Sequence, residues 1–201
     1  MSEDWKAAWQ PLIDLIGQPR VEKKIVWSSI PVEAGAVRRW LDPLEFNCAL
    51  HYDRAVAQAH GYPDIVAPYA SVTGFTNPPL WQPGTTLFDS AERNAQPHAR
   101  SLRPPLPPQA PAITGYFATD MEYDFLRPVV VGELLGRRGP RLIACLPKET
   151  KVGRGAFVTF EAETLSSADG EVVARMRFSL FCYNPPTPPT PATAATSKEA
   201  A

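Results

Sequence analysis

The chain reads as an α+β protein, with an antiparallel sheet covered by a few short helices. Two observations predict this. Three segments in the second half alternate apolar and polar residues with period two, the signature of half-buried strands. The first half instead carries helical spacing closed by capping residues. At 201 residues the chain suits one domain, expected over 1–184, large enough to bury a real core.

The elements follow in order. "KKIVWSSI" (23–30) reads as a strand and "VEAGAVRRWL" (32–41) as a helix, with Val37, Trp40 and Leu41 at helical spacing and Asp42-Pro43 stopping it. Asp53 is read as the N-cap of "RAVAQAH" and Gly61 as its C-terminal cap. Pro68 is placed to open a further helix, "YASVTGF", because proline is tolerated at a first helical position. Beyond a long loop, "TDMEYDF" puts Met121, Tyr123 and Phe125 on one face and Asp120, Glu122 and Asp124 on the other. "GRGAFVTFEAETL" sets Val158, Phe160 and Ala162 against Thr159, Glu161 and Glu163. "VVARMRFSLFCY" sets Met176, Phe178 and Leu180 against Arg175, Arg177 and Ser179. "GELLGRRGPRLIACLP" (132–147) is a less regular strand, and "SADGE" (167–171) is the hairpin turn joining the last two.

Proline is the unevenly placed residue. "PHARSLRPPLPPQAP" (97–111) sits inside a connection spanning 77–113, long for a compact domain unless it is functional or flexible. "NPPTPPTPATAATSKEAA" ends the chain with almost no apolar content after Tyr183, so 185–201 is expected to be a disordered tail. Trp5, Trp9, Trp81 and Phe88 are expected to cover core surface.

With 20 Lys and Arg against 21 Asp and Glu, no strong field selects nucleic acid or an anionic membrane. The acidic N-terminus lacks a signal-peptide pattern, and no run reaches the roughly 20 apolar residues that span a bilayer, so a cytoplasmic protein is expected. Cys48, Cys145 and Cys182 lie far apart with no C-x-x-C, which implies neither a metal site nor a disulfide framework. There is no G-x-G-x-x-G, Walker loop, G-x-S-x-G or H-E-x-x-H, which removes most support from nucleotide-cofactor and serine-hydrolase readings; no cofactor is expected.

Among three histidines, His51 stands in a loop just ahead of a capped helix, where a side chain can be aimed into a cleft. It is either a general base or an ordinary loop histidine; Asp53 is read as a cap rather than a catalyst. His60 ends its helix, and His98 has no assignable role. The turn after Pro68 leaves the backbone N–H groups of Tyr69, Ala70 and Ser71 able to polarise a carbonyl, or it simply starts a buried helix. Lys148, Lys151 and Arg154 gather in "KETKVGRG", either a phosphate-holding turn or a solvated hairpin.

Taken together, "LHYDRAVAQAHGYPDIVAP", "GYFATDMEYDFLRPVVVGELL" and "GRGAFVTFEAETLSSADGEVVARMRFSLF" resemble a MaoC-like hot-dog domain of the FAS1-dehydratase-like kind, over about residues 10 to 184. The resemblance implies an antiparallel sheet wrapped around a central helix and enoyl-thioester hydratase or dehydratase chemistry. It also implies a G-D-x-N-P-x-H-x-D motif whose first Asp and whose His activate water. Anchored on His51, Asp53 and Gly61, the motif's catalytic Asp falls on Phe46, its Asn on Cys48 and its Pro on Ala49. Tyr69 falls where the helix start supplies the oxyanion donor. Phe46 cannot orient water, and Glu45 or Asn47 would substitute only in a re-registered loop.

The resemblance therefore implies the pocket-forming half of a heteromer whose small MaoC-like partner supplies Asp and His. A homodimer using His51 with Glu45, or a non-catalytic acyl-CoA-binding protein, remains open. On this reading Phe46, Pro68, Ser71, Lys148, Lys151 and Arg154 contact an acyl-CoA or acyl-carrier substrate. The long aromatic loop points to a bulky acyl group such as a steroid side chain, an aromatic or a long chain.

Overall fold

In the computed structural model, the residues described are 4–18, 24–79, 81–95 and 106–186. Parts of the 77–113 connection and most of the tail therefore lie outside the described residues.

The strongest periodicity becomes the centre of the molecule. Five strands form one antiparallel sheet in the order β1-β3-β4-β5-β2, with β1 at Ile25–Trp27, β2 at Gly115–Phe125, β3 at Leu135–Thr150, β4 at Gly153–Ser166 and β5 at Val172–Asn184. β4 is central, and both its neighbours pair with it along its length, as in Phe160 opposite both Leu142 and Phe178. Sheets gain their stability from such cross-strand pairs, and the Phe160 and Phe178 rings stack 5.3 Å apart.

Two apolar clusters cover the sheet. Near the β3–β4 hairpin, α1 (Asp4–Ala7) and α2 (Gln10–Ile13) lay Trp9 and Leu12 on Val158, Phe160 and Cys182. At the other end, α3 (Ala34–Leu41) buries Val37 and Leu41 with Val72, Ala67, Val129 and Leu135. Fully burying a Leu or Val contributes roughly 1.5–3 kcal/mol, so these short helices are held by packing rather than by propensity.

The opposite face is charged over the middle of the sheet, while toward the β3–β4 hairpin it carries the Phe117, Phe157, Phe181 and Tyr183 rings. Glu161 accepts from Arg141 on one side at 2.6 Å and from Arg177 on the other at 3.2 Å. Arg177 continues to Glu122 at 3.3 Å, while Glu163 joins Arg138 at 2.6 Å to Arg175 at 3.5 Å. Burial alone would raise the Glu161 carboxyl, but the hydrogen bonds and charges of Arg141 and Arg177 outweigh it and hold the group below its ordinary value.

Asp53 caps α4 (Arg54–Ala59), accepting from the N–H groups of Ala55 at 2.8 Å and Val56 at 3.3 Å. Gly61 ends it at φ +88°, a conformation that favours glycine. The helix expected at 69–75 forms over that range: a 3-10 turn, Tyr69–Ser71, runs into the single turn α5 (Val72–Phe75). Trp9 is buried as expected and Trp5 packs beside it. Trp81 and Phe88 are not buried. Both stay exposed, with the Trp81 indole N–H donating to its neighbour Thr85 at 2.8 Å.

Candidate active site

The site is assembled where three backbone segments cross. Residues 64–67 run antiparallel beside 129–131: Val131 N–H donates to Ile65 at 2.9 Å, Ala67 N–H to Val129 at 2.8 Å, and Val66 bridges Val130. On its other side, Val66 N–H donates to Leu50 at 3.0 Å, which docks the 3-10 turn Ala49–His51. The 129–131 segment is fixed in turn by Glu133, whose carboxylate accepts from Val130 N–H at 2.8 Å, Ser166 at 2.5 Å and the Arg127 guanidinium at 3.0 and 3.2 Å. This is the "RPVVVGE" stretch. Gly132 turns it at φ +97°, and the Arg127 Nη2 that donates to Glu133 also donates to Asp169 at 2.7 Å.

This frame aims His51. Its Nδ1–H donates to the Val66 carbonyl at 2.6 Å, because a carbonyl can only accept. In the neutral form of this half-buried ring, that tautomer makes Nε2 the acceptor, the atom a general base uses. The Phe46 ring lies against it with centroids 5.7 Å apart, and the Phe46 carbonyl accepts from the Tyr52 hydroxyl at 2.6 Å. Tyr52 is covered in turn by the Arg38 guanidinium, 4.8 Å from its ring.

Glu45 is exposed, in a left-handed conformation at φ 49°, and ends the 3-10 turn Asp42–Leu44; no contact joins it to His51 among the described residues. Pro68 caps the Tyr69–Ser71 turn in an extended conformation, and Ser71 folds back to donate from both its N–H (2.9 Å) and its hydroxyl (2.6 Å) to the Pro68 carbonyl. The Tyr69 N–H heads this turn without an acceptor inside it. The Tyr69 ring, 46 % exposed, rests on Phe125 at 4.9 Å, and Phe125 stacks on Tyr123 at 5.5 Å. The Tyr123 hydroxyl accepts from Thr73 at 2.8 Å and donates to the Met176 sulfur at 2.9 Å. The alternation of β2 places Tyr123 and Phe125 on one face, but nothing in the sequence brings Tyr69, from a separate 3-10 turn, onto them.

The cationic hairpin is elsewhere. Lys148 lies near the end of β3, Lys151 in the turn and Arg154 at the start of β4, whereas the Val66–Val130 crossing precedes Leu135, which pairs with Ser166 at the end of β4. Fourteen strand residues at about 3.3 Å each separate the two ends by roughly 40 Å. Arg154 pairs with Glu149 at 3.2 Å and lies 5.9 Å from the Trp5 ring; Lys148 lies 5.9 Å from the Phe157 ring. A cavity of about 490 Å³ opens there between Trp5, Trp9, Glu149 and Arg154, far from His51.

Residues 23–176 match the family described as the FAS1-like, dehydratase domain region. The chain belongs to this family. A "probable enoyl-CoA hydratase alpha subunit" from Thermomonospora curvata is 26% identical over 185 residues, covering 91% of this chain and 53% of that protein. The chain thus spans about half the length of the curated relative it matches.

In the ChsH1–ChsH2 complex from Mycobacterium tuberculosis, one chain superposes with a TM-score of 0.59 at 22% identity, over 90% of this chain and 97% of that one. A MaoC-like dehydratase from Rhodospirillum rubrum does so at 0.50 and 19%, over 86% and 99%. These likenesses show the hot-dog fold for this FAS1-like dehydratase domain.

Proposed function

We propose that the chain is a subunit of an enoyl-CoA hydratase or 3-hydroxyacyl-thioester dehydratase. In this reading it shapes the acyl pocket while a small MaoC-like partner supplies the catalytic Asp and His. The observation that carries this is the Phe46 ring packed on His51. At the place where the resemblance calls for a carboxylate to share the water, the chain offers an apolar surface. The exposed aromatics Phe46, Tyr69 and Phe125 are suited to a bulky acyl group, and the names of the Thermomonospora relative and the mycobacterial complex are in keeping with a multi-subunit hydratase.

The chemistry is addition of water across an α,β double bond. A base takes one proton, the hydroxyl bonds to the β-carbon, the α-carbon takes a proton, and an N–H donor holds the enolate-like oxygen between those events. Tyr69 N–H is the donor this chain offers.

A second reading is favoured by one contact. The His51–Val66 hydrogen bond leaves Nε2 prepared as a base, which suits a self-sufficient homodimer. The test is hydration of an enoyl-CoA by the chain alone and with a small MaoC-like chain carrying an intact D-x-N-P-x-H. The partner reading expects activity only in the mixture, changed less than threefold by His51→Ala. Activity of the chain alone, lost by about 10²–10⁴ in His51→Ala, would replace it with the second reading.

A further inference from the structure

The cavity of about 490 Å³ at the β3–β4 hairpin is of ordinary size for a binding site, and the hydration chemistry makes no use of it. Its polar rim is already engaged. Arg154 donates to Glu149 at 3.2 Å, the Thr150 hydroxyl to the Gly153 carbonyl at 3.3 Å, and the Asn184 amide to the Ala112 carbonyl at 2.9 Å. What is left for an occupant is apolar: half-buried Trp5, a floor of buried Trp9, and the rings of Pro111, Pro185 and Pro186. A charged ligand would lose its water there against a countercharge that is already paired. Aromatic rings are instead the lining on which proline-rich segments dock.

Two of those walls are the chain's own way out of the sheet. β5 ends at Asn184, and Pro185 follows tightly against the hairpin. A Cβ on Gly153 would overlap the Asn184 carbonyl and stand 2.9 Å from the Pro185 Cα. Gly153 is also at φ +146°, which other residues adopt only with strain. This close approach, with the Asn184 tether to Ala112, fixes where the chain leaves β5. The residues that come next start from the cavity wall.

Their sequence has a period. Residues 185–191 read "PPTPPTP". Polyproline II has three residues per turn, which sets Pro185, Pro188 and Pro191 along one edge, Pro186 and Pro189 along a second, and Thr187 and Thr190 along the third. The prolines fix φ at about −65° and hold the residue before each one extended, so docking has little freedom left to remove. Both proline edges begin with a residue that already lines the cavity.

We propose that residues 187–191, which lie beyond the described residues, continue as polyproline II across the cavity and onto Trp5. The two proline edges meet the rings and the threonine edge meets water. Polyproline II has no internal hydrogen bonds, so its carbonyls are open to the Trp5 indole N–H, a donor only. At about 3.1 Å per residue, five residues span about 15 Å. That is enough to pass over α1, whose four residues rise about 6 Å. Tethering at the wall gives the segment an effective concentration of about millimolar, which favours it over a free proline-rich chain. The strap ties the end of β5 to α1 and α2, helices too short to persist by propensity, and closes the Trp9–Leu12 cluster from outside.

Backbone ¹⁵N order parameters of Thr187 and Thr190 in the full chain test this, because rigid backbone gives about 0.85 and flexible backbone less than about 0.6. The proposal expects both threonines in the rigid range. In W5A and in P188A/P189A/P191A, Thr190 should fall to the flexible range while the β4 amides stay rigid. Flexible threonines in the wild type overturn it, whether or not free PPTPPTP peptide then fills the cavity as another chain's segment would. A Thr190 that stays rigid in either variant also overturns it. So does order that vanishes on dilution together with a fall from twice the 22.1 kDa of one chain, which assigns the strap to a second copy.

If W5A does not fold, the proline variant decides alone, since its changes lie outside the sheet and its helices. Its Trp5 indole N–H resonance should then move from the wild-type position, and an unmoved resonance overturns the proposal.

Discussion

Glu133→Ala should loosen the frame behind His51. The carboxylate is almost fully buried and accepts from Arg127, Val130 and Ser166. Its removal leaves the Val130 N–H and the Ser166 hydroxyl without their acceptor, and leaves the Arg127 guanidinium with Asp169. Breaking a fully buried ion pair costs about 3–5 kcal/mol. Arg127 is 27% exposed on its side chain, so water recovers part of this, and about 2–4 kcal/mol is the expected loss. At roughly 2–4 °C per kcal/mol for a chain of this size, the melting temperature should fall by about 4–16 °C.

Thermal and urea unfolding followed by circular dichroism measures the loss, with Glu133→Gln, which keeps the shape and drops the charge, expected in between. The decisive quantity is the Arg127→Ala/Glu133→Ala cycle, because paired residues are non-additive. A loss under about 1 kcal/mol, or single effects that simply sum, would show that the "RPVVVGE" turn stands without this network.

Two further outcomes follow from the buried groups. Glu161 titrates below its ordinary value, so the unfolded chain takes up its proton first. Its contribution is complete above about pH 4.3 and drains away as pH falls through the lower folded value. Glu161→Gln should flatten the acid limb of a urea-midpoint profile, and an unchanged slope would remove Glu161 as its source. Burial pushes the Cys145 thiol up to about 11, and burial with neighbouring Cys145 pushes Cys182 up to about 12. At pH 8 a disulfide reagent should therefore label half-buried Cys48 alone in the fast phase, and a fast phase that survives Cys48→Ser would contradict this.

Local signals carried well from sequence to structure where one segment contains the whole cause. The Asp53 cap, the Gly61 stop and the alternation of β4 each depend on neighbours in the chain, and each forms. Features that depend on register did not carry. The charges of Glu161, Arg141, Arg177 and Glu122 are visible singly, but their order across four strands needs the pairing in hand.

Aromatic content misled at Trp81 and Phe88, since large apolar residues also make up exposed surface. The helix after Pro68 spans the expected 69–75, but its first turn is 3-10 and only Val72–Phe75 is α-helical. Within the candidate site, His51, Phe46 and Tyr69 could be named from the resemblance, while the role of Val66 could not. Nothing in a valine's side chain announces that its carbonyl will be used.

That use of Val66 has a consequence for variation. The orientation of His51 is stored in main-chain atoms, since Val66 gives its N–H to Leu50 and its carbonyl to His51. Any residue that keeps the extended backbone at 66 preserves the imidazole's tautomer, so scanning side chains there would register only packing. A lineage could thus lose the acid at 46 and drift at 66 while carrying a correctly presented imidazole unchanged. The histidine would remain ready for any partner, natural or engineered, that returned a carboxylate to its side.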